Sequence, residues 1–117
     1  MAGLTTHVLD TNQGKPAKSM KIELFKIELT KRFYLGTYST NNDGRVDSPL
    51  IMSEDLEVTT YEILFHAGEY LKKENPNSTS TLFFDIIPIR FNVTNNKEHY
   101  HVPLLLSSYS YSTYKGS

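Results

Sequence analysis

The sequence of 117 residues contains no cysteine and no tryptophan. Without cysteine the chain has neither a disulfide framework nor a thiol nucleophile. No apolar run approaches the ~20 residues that a membrane-spanning helix needs. The opening segment MAGLTTHVLD lacks the basic and apolar regions of a secretory signal. These absences favour a soluble cytosolic domain.

An excess of one charge is missing too, because 12 Lys and Arg residues are balanced by 13 Asp and Glu residues, for a net charge of −1. A near-neutral chain has no electrostatic attraction to nucleic acid or to an anionic membrane, so we expect neither as a partner. The chain also lacks a G-x-S-x-G nucleophile elbow and a glycine-rich phosphate loop. The motifs of a serine hydrolase of that type and of a phosphate-binding loop are therefore not there.

Hydrophobic residues make up 38% of the chain and aromatic residues 12%, which is enough for a packed core. The length suits one domain, and the sequence has no internal repeat and no linker. We therefore expect a single domain over residues 1–117.

Apolar and polar residues alternate with period two, which predicts seven or eight short strands separated by turn clusters. The segment GEYLKKEN predicts one short helix, ended by Pro76. In MKIELFKIEL the apolar positions slip by one residue, from Ile22 and Leu24 to Phe25 and Ile27. The slip predicts a β-bulge or a strand covered on both faces. The spacing of the turns is typical of two antiparallel sheets packed face to face.

Five polar residues are candidates for a functional site. His99 and His101 stand two apart on a predicted strand, so both imidazoles point to the same face. Taken alone, the pair favours exposed strand histidines over a wet pocket that supplies hydrogen-bond partners. His7 and His66 favour structural positions, and Arg45, directly after the turn NNDG, favours a solvated arginine. A weak alternative is a zinc site of His7, His99 and His101, since three imidazoles and a water form an open catalytic site.

The last nineteen residues, HYHVPLLLSSYSYSTYKGS, are rich in leucine and tyrosine, whereas chain ends usually carry polar or flexible residues. An apolar edge strand is a pairing hazard unless something covers it. Pairing with a second copy would cover this one, so the C-terminal strand indicates assembly.

This C-terminal segment and HVLDTNQGKPA near the start resemble the transthyretin family, and more narrowly its enzyme branch, the 5-hydroxyisourate hydrolases. The resemblance covers essentially the whole chain. The enzymes are similar to this sequence in His7, in Arg45 and in the histidine pair at 99 and 101. The hormone carriers of the family have lysine at the first of these positions and lack the pair. The chain departs from the enzymes at Lys115, where arginine is usual, so it keeps the charge but loses the planar guanidinium fork.

The resemblance implies an all-β fold, an eight-stranded antiparallel β-sandwich with one short helix. It implies a homotetramer, a dimer of dimers, with the active sites at the dimer–dimer interface. The implied activity is hydrolysis of 5-hydroxyisourate, a purine-derived small molecule, to 2-oxo-4-hydroxy-4-carboxy-5-ureidoimidazoline in the degradation of urate to allantoin. The resemblance implies no metal and no cofactor, and a cytoplasmic location with the peroxisome as the alternative.

For the site, the resemblance implies catalysis by His7, Arg45 and His101, in which the histidines handle the proton and the water and the arginine polarises the substrate. It implies substrate binding by His99, Tyr114, Lys115, Gly116 and Ser117. Which histidine is the general base stays open at this point. Two other classes are alternatives: a non-catalytic binding protein of the thyroid-hormone-carrier type, and a zinc hydrolase built on the three histidines.

Overall fold

The computed structural model describes residues 2–116, which form eleven short strands, one α-helix and a 3-10 turn at Ser53–Asp55. The strands are β1 (Ala2–Thr5), β2 (Val8–Asp10), β3 (Lys15–Pro16), β4 (Lys21–Glu28), β5 (Lys31–Ser39), β6 (Ile51–Met52), β7 (Thr60–Phe65), β8 (Ile87–Asn92), β9 (Tyr100–His101), β10 (Leu104–Leu106) and β11 (Tyr111–Thr113). The helix α1 spans Ala67–Glu74.

One layer of the fold is a four-stranded antiparallel sheet in the order β5-β4-β7-β8. Its longest strands, β4 and β5, form a hairpin whose register shifts between Leu24 and Phe25. This shift is the β-bulge that the slipped apolar pattern of MKIELFKIEL predicts. Because a bulge moves the following side chains to the other face, Leu24 and Ile27 are both buried although they stand three positions apart.

The other layer is made of two short sheets, β6-β1-β9 and β11-β10-β2-β3, that continue each other. Leu4 lies opposite Tyr100 in the first sheet and Val8 lies opposite Leu104 in the second, so the register is the same across the break. Backbone hydrogen bonds bridge the gap, from Val102 N–H to the Thr5 carbonyl and from Leu104 N–H to the His7 carbonyl. The beginning and the end of the chain therefore form one interrupted parallel pair.

The core lies between the two layers. Leu4, Val8 and Leu104 from the interrupted layer are fully buried, and they belong to the same cluster as the inward side chains of the other sheet. The helix α1 packs on this cluster through Tyr70 and Leu71, which are also buried. The Tyr70 hydroxyl donates a hydrogen bond of 2.6 Å to Asp10 Oδ2 and so joins the helix to β2.

The predicted mostly-β fold with one short helix is confirmed. Every strand pairing is antiparallel except β1 with β9 and β2 with β10, which are parallel. Antiparallel neighbours are often joined by a short turn that the sequence reveals, whereas no short turn connects these parallel partners. None of the helical segments within residues 2–116 is long and apolar enough to cross a bilayer.

Candidate active site

Alternation along the first strands directs a set of polar side chains away from the core. Leu4, Thr6 and Val8 are buried, while Thr5 and His7 between them are partly exposed. Successive side chains of an extended chain point to opposite faces, so Thr5 and His7 share the outer face of the interrupted layer.

The partner segment at the C-terminal end repeats this arrangement. Tyr100 and Val102 are buried, and His99 and His101 are partly exposed. Thr5 lies directly opposite His101 in the parallel register of β1 and β9. The outer faces of the two segments therefore bring three imidazoles to one side of the sheet.

The hydroxyl of Thr5 bridges two of these imidazoles. Thr5 Oγ1 lies 2.9 Å from His99 Nε2 and 2.9 Å from His101 Nδ1. The two ring centroids are 6.4 Å apart. Thr5 thus fixes one nitrogen of each ring, and leaves His99 Nδ1 and His101 Nε2 as the remaining nitrogens.

Arg45 reaches the site from a tight loop that is organised by Asn41. Asn41 Oδ1 accepts hydrogen bonds from the backbone N–H groups of Asp43 and Arg45, at 2.9 and 3.1 Å. Gly44 has φ +75°, and its carbonyl accepts a hydrogen bond of 2.8 Å from Val8 N–H. A Cβ at this glycine would lie 2.4 Å from the Val8 carbonyl oxygen, so only glycine lets the loop approach the strand so closely.

Docking of this loop at the break in the first strand places His7 beside it. His7 and Arg45 are paired by an isolated antiparallel β-bridge. His7 Nε2 donates a hydrogen bond of 2.9 Å to the Asp43 carbonyl. Since a carbonyl can only accept, the neutral ring carries its proton on Nε2 and leaves Nδ1 as a proton acceptor.

A cavity of about 330 Å³ lies at this face of the sheet. Its lining residues are Thr5, Thr6, Arg45, Val46, Ser48, His99 and His101. The volume is at the small end of the range typical of small-molecule sites, about 300–1,000 Å³. The Arg45 side chain is exposed and makes no hydrogen bond or ion pair within the part of the chain that the structure describes. Its guanidinium is therefore available to a ligand in the cavity.

The surroundings lower the basicity of two of the histidines. Partial burial, and then the nearby Arg45 guanidinium, lower the pKa of His7. Partial burial also lowers the pKa of His101, and the positive charges of Arg45, His99 and His7 lower it further. Both rings are therefore neutral at neutral pH and can accept a proton.

The C-terminal segment contacts the site through Gly116. Its N–H donates a hydrogen bond of 2.7 Å to the His101 carbonyl, and its carbonyl accepts one of 3.2 Å from the His101 N–H. A Cβ at Gly116 would lie 3.1 Å from Cδ2 of the His101 ring, so the glycine packs closely against that imidazole. The terminus is tied to the strand up to this residue.

The other C-terminal residues of the predicted site lie elsewhere in the single chain. Tyr114 and Lys115 line a separate cavity of about 260 Å³, together with Tyr100. Lys115 Nζ forms an ion pair of 2.8 Å with Glu98 and lies 5.0 Å from the centre of the Tyr100 ring. Ser117 lies outside the described residues.

Two alternatives from the sequence bear on the remaining polar residues. Within residues 2–116, no group of three or more His, Cys, Asp or Glu side chains is arranged to hold a metal ion. The three histidines therefore do not form the ligand set that the zinc alternative requires. His66 is buried and bonds Glu23 Oε1 at 2.6 Å, which agrees with its structural interpretation.

Sequence reasoning missed several residues that build the site, notably Thr5, Asn41 and the Asp43 carbonyl. Asn41 could have been found from the turn signature NNDG, in which an asparagine side chain commonly bonds backbone N–H groups two or more residues ahead. Thr5 carries no local signal. Its partners are 94 and 96 residues away, so only the parallel pairing reveals its role.

Known proteins match this chain in sequence and in structure. A sequence profile of the HIUase/transthyretin family matches residues 4–116. The chain is 47% identical over 114 residues to 5-hydroxyisourate hydrolase 2 of Rhizobium meliloti, covering 97% of this chain and 95% of that protein. Its structure is similar to that of an (S)-allantoin synthase, with a TM-score of 0.90 and 40% identity, covering 99% of this chain but 44% of that longer one. It is also similar to Klebsiella pneumoniae 5-hydroxyisourate hydrolase over the full length of both chains, with a TM-score of 0.81 and 26% identity.

Proposed function

The chain belongs to the HIUase/transthyretin family, and from this premise we propose that it is a 5-hydroxyisourate hydrolase of urate degradation. The full-length match to a hydrolase of that name supports the proposal. The observation that carries it to the residues is the cavity itself, where Arg45, which has no side-chain partner among residues 2–116, lies with His101, whose pKa is lowered. His7, whose pKa is also lowered, is not among the lining residues and lies beside the Arg45 loop.

His7 and His101 supply the base in this proposal. Water adds through its oxygen to a ring carbonyl carbon of 5-hydroxyisourate, while an imidazole takes one of the water's protons. When the C–N bond of the tetrahedral intermediate breaks, that proton goes to the leaving nitrogen. The former carbonyl carbon becomes a carboxylic acid group of the same, ring-opened molecule, and this group ionises. The lowered pKa of each histidine keeps its ring ready to accept the proton at neutral pH.

Arg45 supplies the positive charge. Addition of water turns the carbonyl oxygen into an oxyanion, and the Arg45 guanidinium stabilises it. The loop built on Asn41 holds the backbone from which the Arg45 side chain extends. His99 contributes a second polar edge to the cavity for the planar substrate.

The test is an ultraviolet decay assay. Urate and urate oxidase generate 5-hydroxyisourate in the cuvette, and the loss of its absorbance is followed with and without the protein. We expect the protein to accelerate the decay, and Arg45→Ala to lower kcat by about 10²–10³-fold, as removal of an oxyanion-stabilising group does.

Lys31→Ala is the matched control, because it removes a positive charge at the start of β5, outside the residues that line the cavity. It should retain the unchanged protein's rate. Decay at the protein-free rate would contradict the proposal. Thyroxine binding by such an inactive protein would instead support the carrier alternative.

Three further features belong to the proposal. The chain forms one catalytic domain over residues 1–117 and works in the cytoplasm. It assembles as a homotetramer, a dimer of dimers, with the cavity at the interface between dimers. In that assembly Tyr114, Lys115 and Ser117 bind substrate together with residues of other subunits. The exposed aromatic side chains of the C-terminal segment support the assembly.

A further inference from the structure

Thr5 holds a position that the hydrolytic mechanism does not yet use. Its hydroxyl oxygen is within hydrogen-bond distance of a nitrogen on each of two imidazoles, 2.9 Å in both cases. A hydroxyl has one proton to donate and lone pairs to accept. It can donate to only one of the two rings, so at least one imidazole must donate to it, and the two bonds are linked.

Three arrangements satisfy both bonds, and in two of them Thr5 donates to an imidazole. In one, Thr5 donates to His99 Nε2 and accepts from His101 Nδ1–H, which leaves a lone pair on His101 Nε2. In the other, Thr5 donates to His101 Nδ1 and accepts from His99 Nε2–H, so that His101 carries its proton on Nε2. In the third, both rings donate to Thr5 and its own proton goes elsewhere. The first and third arrangements make His101 a base at Nε2, and only the first also uses the Thr5 proton within the cluster.

We propose that Thr5 is a positioning residue that keeps His101 in the tautomer protonated on Nδ1, with Nε2 as the base, by donating its hydroxyl proton to His99. This inference rests on the proposed hydrolase function. When His101 takes a proton on Nε2, its Nδ1–H still donates to Thr5, and Thr5 still donates to His99. Proton transfer therefore leaves both bonds in place, as a preorganised site requires.

The same geometry gives His99 a control over His101. A proton on His99 Nε2 ends the donor bond from Thr5 to that ring. The Thr5 hydroxyl proton is then free to turn towards His101 Nδ1, which favours the tautomer with the proton on His101 Nε2. The charged or titratable side chains that act on His101 are Arg45, His99 and His7. Of these, His99 is the one that shares the Thr5 hydroxyl with His101, so it acts through the hydrogen bond as well as through its charge.

The experiment uses the full chain with Thr5→Val, which keeps the side-chain shape and removes the hydroxyl. Thr5→Ser keeps the hydroxyl and serves as the conservative rescue. Thr11→Val is the matched control, since the Thr11 hydroxyl donates a hydrogen bond of 2.9 Å to the Leu106 carbonyl and none to an imidazole. Nitrogen-15 NMR of the imidazoles identifies the His101 tautomer, and the decay assay gives kcat and KM across pH.

We expect His101 to carry its proton on Nδ1 in the unchanged protein, in Thr5→Ser and in Thr11→Val. Thr5→Val should shift that proton to Nε2 and lower kcat by about 10-fold or more with little change in KM. An enzyme whose catalytic histidine is held in the wrong tautomer loses up to about 10⁴-fold in kcat.

An Nε2-protonated His101 in the unchanged protein would overturn the inference. So would an unaltered tautomer and kcat in a folded Thr5→Val. Absence of hydrolysis by the unchanged protein would instead overturn the proposed function, while the tautomer spectrum would still decide whether Thr5 positions the ring. If Thr5→Val does not fold, the spectra of the unchanged protein and of Thr5→Ser decide whether His101 carries its proton on Nδ1.

Discussion

At the scale of single residues, the three imidazoles of the cavity face each have one nitrogen held by a neighbour. His7 Nε2 is held by a backbone carbonyl, and the other two rings share the Thr5 hydroxyl. Each ring keeps one nitrogen outside these bonds. The site is therefore a set of oriented imidazoles around one guanidinium, whose charge also lowers the pKa of His7 and of His101.

The charge of Arg45 can be tested through the histidines themselves. Arg45→Gln should raise the pKa of His7 and of His101, because a neighbouring positive charge disfavours the protonated ring in both. NMR titration of the imidazole Cε1–H signals measures this without requiring activity. Lys31→Gln is the control and should leave both pKa values unchanged. A pKa of either histidine that falls in Arg45→Gln would contradict the expectation.

The lowered pKa values also affect stability. Below about pH 6.5, the ordinary value for histidine, the unfolded chain binds protons that the folded His7 and His101 resist. The free energy of unfolding should therefore fall as the pH drops towards the folded pKa values. In Arg45→Gln this acid loss should be smaller, because the folded pKa values lie closer to the unfolded one.

At the scale of elements, the loop between β5 and β6 carries the arginine and closes the break between β1 and β2. Its conformation depends on one asparagine side chain and on one glycine in the left-handed region. The helix α1 is attached in a comparable way, by a tyrosine hydroxyl on a buried aspartate. Single polar contacts thus join elements whose apolar packing would allow small shifts.

Asn41→Ala should loosen the arginine loop. The substitution removes the acceptor of two backbone N–H groups and the donor of a 2.8 Å bond to Asp47. We expect the free energy of unfolding to fall by about 1–2 kcal/mol, and kcat/KM to fall with it. Asn75→Ala is the control, since Asn75 caps the far end of α1 with a bond to the Leu71 carbonyl. Asn75→Ala should lower stability and leave kcat/KM intact. An equal loss of kcat/KM in both variants would contradict the role of the Asn41 loop in activity.

Tyr70→Phe tests the attachment of the helix. The Tyr70 hydroxyl is buried and bonds Asp10 Oδ2 at 2.6 Å, and Gln13 Nε2 bonds the same oxygen at 2.9 Å. Loss of one buried bond to this carboxyl group should lower the free energy of unfolding by about 1–3 kcal/mol, measured by urea denaturation. Tyr34→Phe removes an exposed hydroxyl and should change stability by less than about 0.5 kcal/mol. Equal effects of the two substitutions would contradict this account of the attachment.

At the scale of the whole molecule, the C-terminal strand is an edge strand with aromatic side chains on its surface. β11 pairs only with β10 among the described strands. Tyr109, which precedes it, is 78% exposed, and the neighbouring Phe83 is 69% exposed. Exposed aromatic side chains at a sheet edge favour pairing with another copy.

Sedimentation equilibrium measures the assembly. We expect a homotetramer, and Tyr109→Glu should weaken it by placing a charge among the exposed aromatic side chains. Tyr34→Glu is the control, because Tyr34 is exposed on β5, at the edge of the other sheet. A monomeric unchanged protein would contradict the expected assembly. Equal dissociation by both substitutions would show that the C-terminal segment is not the interface.

The sequence by itself determined the local features of this protein, because they depend on neighbours along the chain. Alternation predicted the strands and the shared face of His99 and His101. The one-residue slip predicted the bulge after Leu24, and NNDG predicted the turn before Arg45. The resemblance of the two chain ends predicted the family and the transthyretin-like fold, which the comparisons confirm, and it predicted the activity that we propose.

Only the tertiary structure decided which distant residues meet. The parallel pair between the two ends of the chain brings Thr5 to partners 94 and 96 residues away, and no local pattern encodes that register. Docking of the 41–45 loop decided that the His7 ring bonds the Asp43 carbonyl. Folding likewise placed Tyr114 and Lys115 at a different cavity from the histidines. Hydrogen bonds and charge effects act over a few ångströms in space, so the chemistry of this site depends on contacts that sequence separation conceals.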